Sequence, residues 1–332
     1  MRILVLGGTV FVSYTVAAEA LRRGHEVVCA ARGTSGNVPD GAKLVVVDRD
    51  DPGGLAPLAG ERFDAVVDVA KISHPWVVRA LDALAGTAAH WTFVSSVSAY
   101  ADETTIGQDA TAPLLEPLES ELGPDEELTD PHIYGSIKVA SENAVRDRLA
   151  DRAFVVRPGL ITGTGDPTDR FGYWPARMHR GGRVLVPDTD LSSQIIDVRD
   201  LATWIVDAAE NRLTGNYDAI SVPAPLPEML AEIAAAVGAD DDVELVRAAP
   251  EALEAAKVNY WSGPRSLPLW LPPSWAGLDS HDPTASLNAG LRIRPLADAA
   301  RAALDHERTL GLDRERKSGL SPAEEAEILA GL

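Results

Sequence analysis

Three observations predict an α/β fold, a doubly wound parallel sheet carrying a smaller C-terminal α/β lobe. Residues 1 to 157 alternate short apolar runs with helical segments, the rhythm of a parallel sheet covered by helices on both faces. The first apolar run breaks at a glycine turn that opens into a helix. Past Pro158 the alternation gives way to a stretch rich in Gly, Arg and aromatic residues, so a second structural unit is expected there.

Arg2-Ile3-Leu4-Val5-Leu6 is continuous in apolar character, as a buried parallel strand requires, and Gly7-Gly8-Thr9 ends it. A helix through Tyr14, Ala17, Ala18 and Leu21 follows. A strand, a glycine turn and a helix N-terminus form an anion site, because free backbone N–H groups and the positive end of the helix dipole face the same point. Gly7, Thr9, Val10, Phe11 and Val12 are therefore expected around a pyrophosphate. Aligned on Gly-x-x-Gly-x-x-Gly, the three positions are Gly7, Val10 and Ser13, so only the first glycine is kept. The amides of Phe11 and Val12 still serve, since a backbone donor does not require glycine. A plain strand-to-helix turn is the alternative reading.

The second strand, Glu26 to Ala31, ends where an acid often grips a ribose 2′-hydroxyl. Here Ala31 holds that place and Arg32-Gly33-Thr34-Ser35 follows, which favours a 2′-phosphate and hence NADP over NAD. Val45-Val46-Val47-Asp48-Arg49 reads as the third strand, with Asp48 and Arg49 at the cofactor; Asp48 is placed to accept from an adenine amino group or to cap a helix. Asp64 to Ala70 supplies the fourth strand, bringing Ala70 to the cofactor and Lys71 to a ribose or the substrate.

Phe93-Val94-Ser95-Ser96-Val97-Ser98-Ala99-Tyr100 is the serine-rich end of a further strand. A loop through Pro113, Pro117, Pro124 and Pro131 then leads to a helix carrying Tyr134 and Lys138. Residues four apart share a helix face, so phenol and ammonium point into one cleft. A free phenol, with a pKa of about 10, is a poor base, and a neighbouring positive charge favours the phenolate. Ser96 would orient a substrate oxygen while Tyr134 carries its proton opposite a hydride donor, and Lys138 would also hold the nicotinamide ribose. A chance pair on an amphipathic helix is the alternative, and the order of strand, serines, loop and helix weighs against it.

These residues together resemble the extended short-chain dehydrogenase/reductase superfamily, the NAD-dependent epimerase/dehydratase group. The likeness covers most of residues 1 to 220. It rests on Gly7 to Ser13, on Ser95-Ser96 before Tyr100, on Tyr134 to Lys138, on Arg157-Pro158-Gly159 and on Ile196 to Ala202. The resemblance implies a Rossmann-type sheet, Ser96, Tyr134 and Lys138 as catalytic residues, and Ser95 and Pro158 beside the cofactor. The Gly-Gly-Thr-x-Phe opening is similar to an atypical branch that includes the chloroplast stem-loop RNA-binding proteins. Two departures bear on substrate. Ser96 is followed by Val97 and Ser98 rather than the Asp-Glu pair of sugar-nucleotide dehydratases, so dehydration by that route is not expected. Ser193 stands where many epimerases carry an arginine for the substrate pyrophosphate, leaving Arg170, Arg177 or Arg183 as substitutes.

The expected division is a dinucleotide-binding domain from 1–157 plus 196–212 and a substrate lobe from 158–195 plus 213–332. In the lobe Arg170, Tyr173 and Trp174 form an expected substrate wall, and Trp261, among three tryptophans broken by prolines, offers an aromatic face to a substrate ring or packs as a core anchor. Ser98 is a further substrate candidate. Ala297 to Leu310 and Pro322 to Leu332 read as amphipathic helices for packing or homodimer contacts.

The chain has 332 residues and a formal charge of −20, which repels phosphate backbones and argues against nucleic-acid partners and anionic membranes. The acidic run including Glu116, Glu119, Glu121, Asp125, Glu126 and Glu127 reads as a solvated loop. One cysteine, Cys29, sits inside an apolar strand, histidines lack ligand spacing so no metal is expected, and no apolar segment suggests targeting or membrane insertion; a cytoplasmic location follows by default. The leading expectation is an NADP(H)-linked oxidoreductase acting on a small-molecule alcohol or carbonyl. Behind it stand a redox-neutral sugar epimerase that retains NAD, and a non-catalytic nucleotide- or RNA-binding relative.

Overall fold

In the computed structural model, which describes residues 1–121, 132–238 and 243–332, the apolar runs of the first half supply six strands of a seven-stranded parallel sheet. Pro124 and Pro131 of the expected loop, and Asp125, Glu126 and Glu127 of the acidic run, lie outside the described residues.

Strand β1 (Arg2–Leu6) leads into α1 (Phe11–Arg22) and β2 (Glu26–Ala31), followed by β3 (Lys43–Val46), β4 (Ala65–Asp68), α2 (His74–Leu84), β5 (Trp91–Val94), α3 (His132–Leu149) and β6 (Ala153–Pro158). β3 ends at Val46, before the expected Asp48 and Arg49, because the backbone there turns: Asp48 Oδ1 accepts from Asp50 N at 3.0 Å and Asp51 Oδ1 from Gly53 N at 2.9 Å. Next come β7 (Leu160–Thr162), α4 (Arg170–His179), β8 (Gly182–Pro187), β9 (Ser192–Ser193), β10 (Ile195–Asp197), α5 (Val198–Asn211) and β11 (Gly215–Ala219). The chain continues through β12 (Ala224–Pro225), α6 (Leu226–Val237), β13 (Val243–Ala248), α7 (Pro250–Ala255), β14 (Asn259–Trp261), β15 (Ser266–Pro268), α8 (Thr284–Asn288), α9 (Leu296–Leu310) and α10 (Pro322–Gly331).

The sheet order is β11-β6-β5-β4-β1-β2-β3. Chain direction across the sheet reverses between β1 and β4, and in open parallel sheets a ligand crevice opens at that point, outside the carboxyl ends of the strands. Val16, Ala17 and Ala20 of α1 and Leu201, Ile205 and Ala208 of α5 cover one face together with Ile3 and Val5. Val77 and Leu81 of α2 and Val145 and Leu149 of α3 cover the other with Leu4 and Val66. The lobe has its own core, in which Trp174, Met178, Leu185, Leu230, Trp270 and Leu304 are buried together.

The sheet takes in a segment that the expected division gave to the lobe. β11 pairs with β6 from Gly215 opposite Phe154 to Ala219 opposite Pro158, and Leu291 packs into the same core as α5. Gly-Asn-Tyr-Asp-Ala lacks an apolar run because β11 lies at the sheet edge, its first residues exposed. Among the described residues no helix is long and apolar enough to cross a membrane.

Candidate active site

The glycine turn lies hard against β2. Gly7 and Gly8 adopt φ of 126° and 103°, a region L side chains rarely enter, and a Cβ on Gly8 would stand 2.4 Å from Cys29 Sγ. The next helix begins with Val10 as N-cap, with no side-chain cap bonded to its amides, and Phe11 takes φ 41°. The uncapped amides of a 12-residue helix open into the crevice, and Val10 is 45% exposed there. Ser13 Oγ donates back to Val10 O at 2.8 Å, filling the place of the third glycine. The glycine turn and the uncapped helix start fit the pyrophosphate of a dinucleotide.

Toward the nucleoside end, Arg32 is about half exposed, 3.7 Å from Asp50 and 6.0 Å from the centre of the Trp76 ring. Asp48 is exposed beside it. Arg49 does not join them. Its Nη1 and Nη2 donate to Asp68 Oδ1 and Oδ2 at 2.8 and 2.9 Å, and Nη2 also to Trp76 O at 2.8 Å, so a residue expected at the cofactor instead braces the end of β4 from inside.

At the other end of the crevice, Lys138 Nζ donates to Ala70 O at 2.6 Å and Val94 O at 2.8 Å, the carbonyls where β4 and β5 run out. Burial pushes the Lys138 ammonium down to about 7, against the pull of Asp68 and Glu142 and with the help of Lys71, which is exposed at the same place. Ser95 is buried with its amide on Val156 O, and Pro158 is buried at the end of β6. Ser96 Oγ accepts from Ser98 N and donates to Ser98 Oγ, both at 3.1 Å. Burial raises the Tyr134 phenol, opposed by its hydrogen bond with Ser96 and by the charge of Arg170. Ser96, Tyr134 and Lys138 are thus brought together, but the cation that favours the phenolate is Arg170. Lys138 Nζ lies 5.8 Å from the Tyr134 ring centre and spends hydrogen bonds on the backbone.

Gly135 is a site residue that the sequence reading passed over. A Cβ there would fall 1.9 Å from Ser98 O, so α3 meets the Ser96 turn with no side chain between them. Its signal was a glycine inside a helix next to the tyrosine, where glycine costs helix stability unless close approach requires it.

The lobe supplies the roof. Arg170 begins α4, its N and Nε on Thr168 Oγ1 at 3.4 and 3.3 Å, and its guanidinium carbon stands 4.9 Å from the centre of the Trp261 ring. Tyr173 and Trp174, expected beside it as substrate wall, point away into the lobe core: they are 2% and 0% exposed, and Trp174 Nε1 donates to Pro268 O at 2.8 Å. Arg177 is held by Glu325 and by Gly181 O and Arg183 O, while Arg183 is exposed near Glu244. A second unforeseen group is Asp279, to which Ser193 Oγ donates at 2.5 Å. Burial pushes the Asp279 carboxyl up to about 6, against the hydrogen bonds from Ser193 and Gln194 N and the charges of Arg170 and His281. Among the described residues no cluster of three or more His, Cys, Asp or Glu side chains is placed to hold a metal ion.

Residues 3–222 match the model of the NAD dependent epimerase/dehydratase family. No curated protein matches the sequence. Among solved structures, the Bordetella bronchiseptica enzyme WbmG in complex with NAD and UDP superposes with a TM-score of 0.68 at 16% identity, covering 94% of this chain and 96% of that one. The UDP-Glc/GlcNAc 4-epimerase of Campylobacter jejuni gives 0.67 at 16%, covering 93% and 99%. UDP-glucose 4-epimerase of Thermus thermophilus, in complex with NAD, gives 0.62 at 18%, again covering 93% and 99%. At such identities the likeness establishes the fold.

Proposed function

The chain belongs to the NAD dependent epimerase/dehydratase family, and on that premise we propose that it is a nicotinamide-dependent oxidoreductase of the extended short-chain dehydrogenase/reductase type that interconverts a secondary alcohol and a carbonyl. The observation that carries this reading is the meeting of Ser96 and Tyr134 at the mouth of the crevice, with Lys138 anchored to Ala70 O and Val94 O behind them. The nicotinamide supplies or accepts the hydride. Ser96 and Tyr134 hold the substrate oxygen between two hydroxyls. In reduction Tyr134 gives its proton to that oxygen as the carbon gains hydride, and in oxidation it takes the proton back. Burial keeps that proton on Tyr134 in the resting site, which suits the acid role in reduction. Lys138, fixed by two carbonyls, orients the nicotinamide ribose.

NADP is the preferred cofactor in this reading. Arg32 follows β2 where a 2′-phosphate would sit, and among the described residues it is engaged by Asp50 at 3.7 Å and the Trp76 ring. The test begins with gently purified protein: bound nucleotide is released, identified by mass, and replaced by NADPH or NADH in titration. Reversible binding that favours NADPH supports net oxidoreduction. Stoichiometric NAD(H) that resists exchange would replace it with redox-neutral epimerisation. Tyr134→Phe is expected to lower kcat by about 10²- to 10⁴-fold with nucleotide affinity unchanged; an unaffected reaction would leave only a nucleotide-binding role.

A further inference from the structure

Three arginines stand around the cleft: Arg49 and Arg157 are buried and paired, and Arg170 is half-buried. Arg49 lies on Asp68, and Arg157 Nε and Nη2 donate to Glu142 at 2.9 and 2.7 Å. Arg170 makes no ion pair among the described residues; its partners are the Thr168 hydroxyl and the face of Trp261. A partly dehydrated guanidinium that no carboxylate of the described residues pairs with keeps N–H donors for an anionic ligand. Its parallel N–H groups match a planar carboxylate. Burial pushes the Arg170 pKa down, against the charges of Asp166, Asp279 and Tyr134, so this unpaired cation and the expected proton carrier belong to the same cleft. The alternatives are spent: Arg177 is locked to Glu325, and Arg183 is out at the surface. The negative charges of Asp166 and Asp279 reach Arg170, so it suits a singly charged anion and disfavours a diphosphate.

We propose that Arg170, set against the Trp261 ring and the Thr168 hydroxyl, binds the carboxylate of the substrate, which makes the reaction the interconversion of a hydroxy acid and its oxo acid. This rests on the oxidoreductase reading above. It gives the roof of the cleft a specificity role distinct from the proton transfer at Tyr134.

Matched pairs separate the two ideas. NADPH-loaded protein is assayed with acetoacetate against methyl acetoacetate, and with 2-oxobutyrate against 2-oxobutyramide. The acids are expected to be reduced and their neutral partners to be at least roughly tenfold slower. Arg170→Gln should lower kcat/KM for the acids by roughly 10- to 150-fold more than for the neutral partners, the difference lying mainly in KM. Arg170→Lys, which keeps the charge and loses the fork, should recover part of the loss. Neutral carbonyls reduced as well as acids, with no effect of Arg170→Gln, would overturn the carboxylate site while leaving oxidoreduction intact. If none of these carbonyls is reduced, calorimetry on NADP⁺-loaded wild type and Arg170→Gln decides. Acetoacetate binding that depends on Arg170 supports the anion site and turns the failure onto the proposed reaction. Binding of inorganic diphosphate alone, or no Arg170-dependent binding, overturns the site.

Discussion

On the floor of the cleft Arg157 and Glu142 close their charges on one another, whereas on the roof Arg170 and Asp279 form no such pair among the described residues. On the floor, Glu142 of α3 takes two hydrogen bonds from Arg157 of β6, Arg157 Nη1 donates to Tyr100 Oη at 2.8 Å, and Tyr100 donates to Asp218 of β11 at 2.6 Å. Burial alone would raise the Glu142 carboxyl, but the hydrogen bonds and charge of Arg157 outweigh it and hold the carboxyl below its ordinary range. On the roof, burial wins: Asp279 is pushed up to about 6 and Arg170 is pushed down. A closed chain of this kind ties a helix to two strands, whereas an open one keeps interaction free energy in reserve for a ligand.

The largest test of that contrast is Glu142→Gln, which leaves Arg157 buried without its counter-charge. A loss of about 3–5 kcal/mol in unfolding free energy is expected, read by urea denaturation at neutral pH. Because the folded carboxyl is held below its unfolded value, this contribution is present above about pH 4.3 and fades as the pH falls through the lower folded value. A loss under about 1 kcal/mol would mean the floor is not tied by this pair.

Asp279→Asn works in the opposite sense. A carboxyl raised from 3.8 to about 6 favours the folded state only while protonated; its contribution is full below 3.8 and is lost as pH rises through 6. The substitution should therefore stabilise the protein at pH 8, by at most about 3 kcal/mol, and change little at pH 3.5. Equal effects at both pH values would break the account of an unsettled roof.

The smallest expected effect is the most pointed. Arg170→Met should alter stability by no more than about 1 kcal/mol, because no ion pair among the described residues is broken, while Arg157→Met should cost about 3–5 kcal/mol. Equal losses in thermal or urea unfolding would erase the distinction between the two arginines.

What the sequence made legible is what short-range pattern encodes. The apolar run of β1, the glycine turn after it and the one-turn step from Tyr134 to Lys138 are each set by neighbours within a few residues. The family likeness carried the same features further, to Ser96 and Pro158. What stayed hidden depends on distant partners. Arg49 reads as a strand-end residue at the cofactor until Asp68 is seen to hold it. Trp174 sits in a Gly- and Arg-rich stretch that resembles a pocket wall, but α4 turns that side chain into the lobe core. Of the tryptophans in the proline-broken segment, Trp270 is a core anchor and Trp261 a platform for Arg170, a split that spacing alone does not encode. Asp279 meets Ser193 across 86 positions, and no local pattern announces it. β11 has no apolar signature because half of it faces outward, and only its register with β6 identifies it as a strand.

That edge strand makes the molecule hard to divide. β6 and β11 are neighbours in the sheet, yet α4 and β8 of the lobe lie between them along the chain, and Leu291 sends the polypeptide back to the sheet once more before α9. The lobe is therefore an embroidery stitched through the cloth rather than a patch sewn along one seam. A fragment cut after Pro158 would expose the hydrogen-bonding edge of β6 and invite association with other chains. Lobes could not be exchanged between relatives by a single splice, because the segments of each unit alternate along the chain.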